Sequence, residues 1–511
     1  MDKDSSVQGN DQVWLKRCRW LIIVTCLLLW LLRLMAPSDL CDDDKQLRQA
    51  SYGLDVTVNG HWVFQENHIH QLAGKPPLYT WLNVFVAKLF CAGEINRFSL
   101  TFPGTVAVFL VAFVLLEWGR RRFGLRVAVL ASLFWLLTPA GCKMMLLGRI
   151  DAVFTALILV SSVAGIEARR GTCSWLWFWV ASLAATMAKG PLGLLLAALP
   201  VLGFILLSRT QEKGRSQAVK ENLLGLGLYL SVGLSWFFAA WNGWGQAFID
   251  RVIMGEFIGH SIGAMDHEDS QGRSLSHWFS PLAFLVSRCL PWSLPAFASI
   301  WYLWRMRGQA SESSRALIQA FGISLVLSIG IFTLAHHRRP DLLFPLAPSL
   351  ALIAAWAVAE GFKTRLEWAG HFRFATLASL VFMVVLGSQQ FSRSLSDKDM
   401  IRTRAFRQQH QSLVRLYPEM MPPLAFTQNT GFGLQLFLQS HQQHITPDEA
   451  AAFLQVDGRH LAVVQKADQQ AFLQACAQRK IAVTCVVPWP ENAGKHRDME
   501  VRIYATGVAP R

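Results

Sequence analysis

Apolar runs long enough to cross a bilayer recur along most of this chain, and between them charge returns only in short clusters. The first run is "WLIIVTCLLLWLLRLM", Trp20 to Met35, and others follow at intervals to about residue 390. A membrane-spanning helix needs roughly 20 predominantly apolar residues. A soluble chain would instead spread its charges over amphipathic periods of 3.6 or 2. Hydrophobic residues make up 52% and charged residues 16% of the 511, so the charge is too sparse to coat a soluble fold of this size. The chain reads as a polytopic α-helical membrane protein.

The basic clusters then set sidedness. They recur at Arg120–Arg122, Arg169–Arg170, Arg209–Arg215, Arg305–Arg307 and Lys363–Arg365, all in short connections. Short loops rich in Lys and Arg remain cytoplasmic. That placement accounts for the net charge of +14 without nucleic acid, for which no binding motif is present. The polar N-terminus ends in "LKRCR" and no small-residue cleavage site follows the first run, so that run is read as an uncleaved span with a cytoplasmic N-terminus. Spans are expected near 20–36, 99–118, 126–146, 153–168, 174–188, 191–208, 222–241, 281–303, 316–335, 341–359 and 372–390. This makes about eleven, and at most about thirteen, with the C-terminus on the opposite side from the N-terminus. The segment 77–92, with its interior lysine, is expected to lie in the interface.

From about Ser392 the pattern changes. "PLAFTQ", "RHLAVVQ", "KIAVTCVVPW" and "VRIYATG" read as strands, with helical "GFGLQLFLQS", "TPDEAAAFLQ" and "ADQQAFLQACAQ" between them. Residues 392–511 are therefore expected to form a soluble α/β domain outside the membrane, after a transmembrane domain of residues 1–391 with outward-facing catalytic loops. None of the nine cysteines has metal-site spacing, while a Cys476–Cys485 disulfide is chemically permitted in an oxidising compartment.

The topology collects unusual polar residues on the outer face. The stretch Pro37 to Arg97 contains Asp42, Asp43 and Asp44, then "GKPP" with Lys75. "LLGRID" supplies Arg149 and Asp151, "MAKGP" supplies Lys189, and "AHHRRPD" supplies Arg338 and Arg339. Adjacent carboxylates repel one another, which suits one of them to proton transfer. Lysine and arginine bind phosphate oxygens, arginine with a planar fork and lysine as a compact charge. Pro76 and Pro77 restrict the backbone around Lys75 and fix where it leaves the loop. Tyr79 and Trp81 are expected to anchor the following helix at headgroup level.

"GKPPLYTWL" resembles the "(E)KPPLYYWL" signature of bacterial aminoarabinose transferases acting on lipid A, within the larger dolichyl-phosphate-mannose-like group of C-type membrane glycosyltransferases. "GRIDAVFTA" is similar to the family's Arg…Asp segment, with a shorter spacing here. "MAKGPLGLLLAALPVL" resembles "hTKGPhhhhhP", "HWFSPLAFLVSRCLPWSLP" its Pro-Trp segment, and "HHRRPDLLFPLAPSLALIAAWAV" its Pro-rich segment. The resemblance covers residues 20 to 360 and is specific as an ordered series.

It implies a C-type glycosyltransferase fold in a bacterial inner membrane. A sugar would pass from a polyprenyl-phosphate-linked donor to a lipid A, glycan or protein acceptor on the periplasmic side. Asp42 or Asp43 would match the catalytic acid of the first outer loop, and Asp151 the second outer acid. Lys75 would bind the donor phosphate, with Arg149, Lys189, Arg338 and Arg339 around it. The family's Glu before the Lys-Pro, associated with metal binding, is Gly74 here. A divalent metal is thus an open question, with Glu66, His68 and His70 of "ENHIH" as substitute ligands or plain loop residues. A lipid-linked polysaccharide ligase or polymerase would share the donor but lack the Lys-Pro-Pro. A transporter or flippase would place charges mid-span and show repeated halves.

Overall fold

A computed structural model describes residues 3–35, 40–41, 44–208, 214–259, 275–305, 312–334, 340–361, 377, 381, 385, 401–428, 430, 432–456, 459–490 and 500–506. The chain divides into two compact units. One comprises Met1–Met35, Gly74–Tyr79 and Thr101–Gln390, the other Ala36–Ala73, Thr80–Leu100 and Phe391–Arg511.

Among the described residues the first unit is built from helices, and these follow the apolar runs. They are α1 (Lys3–Met35), most of α4 (Arg97–Phe123), α5 (Leu125–Leu136), α6 (Pro139–Met144), α7 (Asp151–Arg169), α8 (Leu176–Lys189), α9 (Leu192–Leu207), α10 (Arg215–Phe248), α11 (Leu275–Arg288), α12 (Ser293–Arg305), α13 (Glu312–Leu334) and α14 (Ala347–Gly361). Among the described residues five helices are long and apolar enough to cross a membrane, or six if α11 and α12 form one broken span. The chain is a multi-pass membrane protein.

Two expected spans are not continuous. The run 126–146 stops at Leu136, and α6 begins at Pro139, whose fixed φ suits a helix start. The run 281–303 bends by 119° between α11 and α12. The expected span 372–390 lies outside the described residues except for three positions.

Small residues bring α7, α8 and α9 together. Ser161 Oγ lies 2.6 Å from Ser182 Oγ and donates to Phe178 O at 3.0 Å, while Ser162 donates to Ala197 O at 3.1 Å. A Cβ at Gly165 would fall 2.7 Å from Val201, and one at Gly193 2.6 Å from the Ala185 backbone. Lipid provides little hydrophobic drive between helices, so close approach and hydrogen bonds hold them. The α7–α8 hairpin is antiparallel, which sets the start of α7 beside the end of α8. At the other end of α7, Glu167 receives Arg122 through two bonds and Trp118 Nε1 at 2.7 Å. Glu117 pairs with Arg19 and Arg120. The arginine clusters and the Asp151–Lys189 end thus occupy opposite ends of these helices. By contrast, only 11% of the apolar window of the helix Ser216–Glu256 is buried, leaving Leu223, Leu224 and Phe238 bare. Such a face suits lipid.

The second unit holds a four-stranded sheet in the order β1 (Leu424–Phe426), β2 (Leu461–Gln465), β4 (Val501–Thr506), β3 (Val483–Val487). The β1–β2 pair is parallel and both pairs to β4 are antiparallel. All four strands fall where the alternating pattern placed them, as do the helices Gly433–Leu438, Pro447–Leu454 and Lys466–Gln478. Thr446 caps the middle one, its Oγ accepting from Glu449 N while the Glu449 carboxylate accepts from Thr446 N. This unit reaches beyond the 392 boundary. Leu47, Ala50 and Leu54 of α2 (Asp44–Leu54), with Val84 and Ala87 of α3 (Leu78–Phe90), pack into one core with Phe426, Val463 and Ile503. A sheet with an apolar face must cover it, and the 36–100 region supplies part of that cover. All nine cysteines are free, so Cys476 and Cys485 are not bridged.

Candidate active site

Asp151 and Lys189 form the centre of the site in the first unit. Asp151 opens α7 and Lys189 closes α8. Their side chains meet at 2.5 Å, 9% and 8% exposed respectively. The acid stands at the positive end of its helix and the lysine at the negative end of its own, the favourable sense for both. Lys189 Nζ also lies 5.3 Å from the Phe154 ring centroid.

Arg149 is held by the turn that precedes α7, where its N–H donates to Leu147 O at 2.7 Å. Thr105 fixes that turn from α4 by donating to Met145 O at 2.9 Å. Gly104 lets the helix approach, since a Cβ there would lie 3.3 Å from Met144 O. Lys75 reaches the same place from the Lys-Pro-Pro corner: its charge and that of Arg149 both act on the Asp151 carboxylate. The Lys75 side chain is exposed, whereas Asp151 is buried. Four of the residues named from sequence, Lys75, Arg149, Asp151 and Lys189, therefore lie within one unit, the three bases each in electrostatic reach of Asp151.

Tyr79 corrects one expectation. It does not face outward as an anchor but is enclosed by protein, 1% exposed and within electrostatic reach of Asp151. Its place on the first turn of α3, four residues after Lys75, turns it inward. Trp81 is half-buried and donates through Nε1 to Trp62 O at 2.7 Å.

A residue the sequence reading did not single out also belongs here. The half-buried Glu256 folds its carboxylate over Gly74, where an added Cβ would lie 2.7 Å from Glu256 Cδ. The signal was available as a gap: a glycine where the resemblance expects a glutamate.

Asp42, Asp43, Arg338 and Arg339 lie outside the described residues. The residues of "ENHIH" do not assemble a cation site. Glu66 pairs with His70 at 3.4 Å. His68 stacks on Phe432 at 4.7 Å and lies 4.7 Å from His444, in the second unit. Among the described residues no three His, Cys, Asp or Glu side chains are grouped to hold a metal. Even with the Glu256 carboxylate over Gly74, the described residues do not group enough ligands to hold one.

That second unit carries its own buried polar network. Ser51 Oγ lies 3.2 Å from His441 Nε2, and Asp55 lies 3.7 Å from His441 Nδ1. Asp55 also accepts from His61 Nδ1 at 3.0 Å, Asn59 Nδ2 at 2.8 Å and Glu66 N at 2.8 Å. Ser51 and Asp55 are both 0% exposed. The order serine–histidine–aspartate is that of a nucleophilic triad, yet a sealed serine cannot meet a substrate. The network ties the end of α2 to the 61–72 and 439–445 loops. Burial, reinforced by neighbouring histidines, pushes His68 down to about 3. Burial likewise pushes His444 down to about 4 and lowers His441, against the opposing pull of Asp55.

Comparison with known proteins agrees with the motif series. Residues 74–236, from the Lys-Pro-Pro corner into α10, match the dolichyl-phosphate-mannose-protein mannosyltransferase family. The structure is similar to that of ArnT from Cupriavidus metallidurans bound to undecaprenyl phosphate. The TM-score is 0.68 at 18% identity, over 95% of this chain and 97% of that one. The apo state of the same protein gives a TM-score of 0.66 over the same shares, also at 18% identity. No curated protein sequence matches. The chain thus has the fold of ArnT, and both comparisons agree with the resemblance read from its motifs.

Proposed function

We propose that this protein is a membrane glycosyltransferase that takes a sugar from a polyprenyl-phosphate-linked donor and passes it to a lipid, glycan or protein acceptor on the periplasmic side of the inner membrane. The observation that carries this reading is the gathering of Lys75, Arg149 and the Asp151–Lys189 pair in one helical unit. The undecaprenyl phosphate bound by the structurally similar ArnT supports the donor class.

The chemistry asks for such a cluster. An acceptor oxygen bonds to the anomeric carbon as the bond from that carbon to the phosphate oxygen breaks. The leaving carrier phosphate gathers negative charge, which preorganised cations stabilise. Lys75, exposed on its proline-fixed corner, is placed in this reading to contact the phosphate. Lys189, neutralised by Asp151, supports the shape of the site. A hydroxyl acceptor needs a base and a phosphate acceptor does not. Asp42 or Asp43 is the proposed base.

Single-turnover transfer from a polyprenyl-phosphate sugar, with the protein in nanodiscs, tests the reading. Lys75→Ala is expected to abolish transfer or strongly weaken donor binding while leaving expression intact, and Lys75→Arg to restore part of it. Asp42→Asn or Asp43→Asn is expected to remove activity. Wild-type turnover in Lys75→Ala would reduce the corner to a structural one. Mass spectrometry of lipid A and surface glycans, with and without the gene, identifies sugar and acceptor.

A further inference from the structure

We infer that Glu256 is a further residue of this site, a carboxylate that weakens the hold on the dianionic carrier phosphate left after transfer and so speeds its release. The inference rests on the reading above.

Gly74 supplies the first argument. Glycine is commonly required where φ is positive, but Gly74 is not among the glycines with positive φ. Its backbone does not ask for glycine; the present seat of its neighbour does, and a side chain here would move that carboxylate. An added Cβ would collide with the Glu256 carboxylate, which occupies the space over this Cα. The acid is therefore seated beside the residue preceding Lys75. It comes from the segment Ile249–Gly259, remote in sequence, and that segment is in the same unit.

Charge supplies the second. Lys75, Arg149 and Lys189 all act on Asp151, and Glu256 sits over the residue that precedes Lys75, so three cations and two carboxylates sum to one net positive charge. A polyprenyl-phosphate sugar is a phosphodiester with one negative charge. The carrier phosphate left behind is a monoester carrying about two at neutral pH, its second pKa being about 6. Coulomb energy scales with ligand charge. A fixed carboxylate beside the phosphate therefore repels product about twice as strongly, in energy, as it repels donor. Without it, the site would hold its own product too well.

The test compares undecaprenyl phosphate with a non-transferable polyprenyl-phosphate sugar as ligands, on full-length protein in nanodiscs. Removing one charge should tighten the monoester on the order of tenfold and the diester by about threefold in Glu256→Gln. The gap between the two ligands should close below about pH 6, where the monoester takes up a proton. Burst kinetics should show faster onset of product inhibition in this variant. Gly74→Glu combined with Glu256→Ala, which clears the space over position 74, returns a carboxylate there and should restore the wild-type ratio. Glu256→Asp keeps the charge and should stay near wild type.

Equal tightening of both ligands, weaker product binding, or a Gly74→Glu/Glu256→Ala pair that behaves as Glu256→Gln would overturn the inference while leaving the proposed function standing. Absence of undecaprenyl phosphate binding in the wild type would overturn both.

Discussion

Asp151 and Lys189 neutralise each other where each is about nine-tenths withdrawn from solvent. Breaking such a pair from one side leaves a buried charge without its partner, at a cost of about 3–5 kcal/mol. Asp151→Asn is thus expected to lower the thermal unfolding midpoint in detergent as well as activity. Its effect on transfer should be smaller than that of Asp42→Asn or Asp43→Asn. Replacing both members, Asp151→Leu with Lys189→Met, should recover most of the midpoint and little of the turnover. If Asp151→Asn melts at the wild-type temperature, the pair carries no structural weight. Both residues were legible in the sequence as charges at the ends of apolar runs. Their pairing was legible only once the hairpin was known to be antiparallel. Glu256 was legible only as a gap, because its seat is made by an absent side chain 182 positions earlier in the chain.

At the scale of elements, the α7–α8–α9 layer fixes the distance between these charges, and it does so with small residues. Gly165→Leu must push against Val201 and Phe178. Overpacking of this kind costs typically about 1–3 kcal/mol. The expected result is a folded protein with reduced transfer, because the displaced helices carry the site at their ends. Unchanged activity would mean that the layer yields without moving them. The loops of the second unit make a different prediction. His68 and His444 are neutral when folded, pushed down to about 3 and about 4 by burial. Between about pH 6.5 and pH 4 the unfolded chain takes up protons that the folded one refuses. Stability therefore falls as pH falls through that window, by about 1.4 kcal/mol per pH unit for each such imidazole. The midpoint should drop progressively from pH 7 to pH 4.5. His444→Gln should flatten the dependence, and a flat wild-type profile would contradict the buried neutral state. The strands and helices of the sheet were readable because alternation and capping are local signals. The recruitment of α2 and α3 into its core was not, because nothing local says which sheet an amphipathic helix will cover.

For the whole molecule, sidedness is the decisive property. Reporter fusions at Arg121, Lys213 and Lys363 are expected to read as cytoplasmic, and fusions at Lys75, Asp266 and the C-terminus as external. A cytoplasmic C-terminus would invert the helix parity and remove the one-sided site. The span pattern was legible because bilayer thickness fixes length. Breaks such as the 119° bend between α11 and α12 were not, since hydropathy does not record direction. The seat of Glu256 over Gly74 finally bears on ancestry. A lineage moving between a glutamate at position 74 and one at position 256 must pass through a protein with both acids crowded together or with neither. The two positions are thus expected to change as a pair among relatives, glutamate at 74 excluding glutamate at 256.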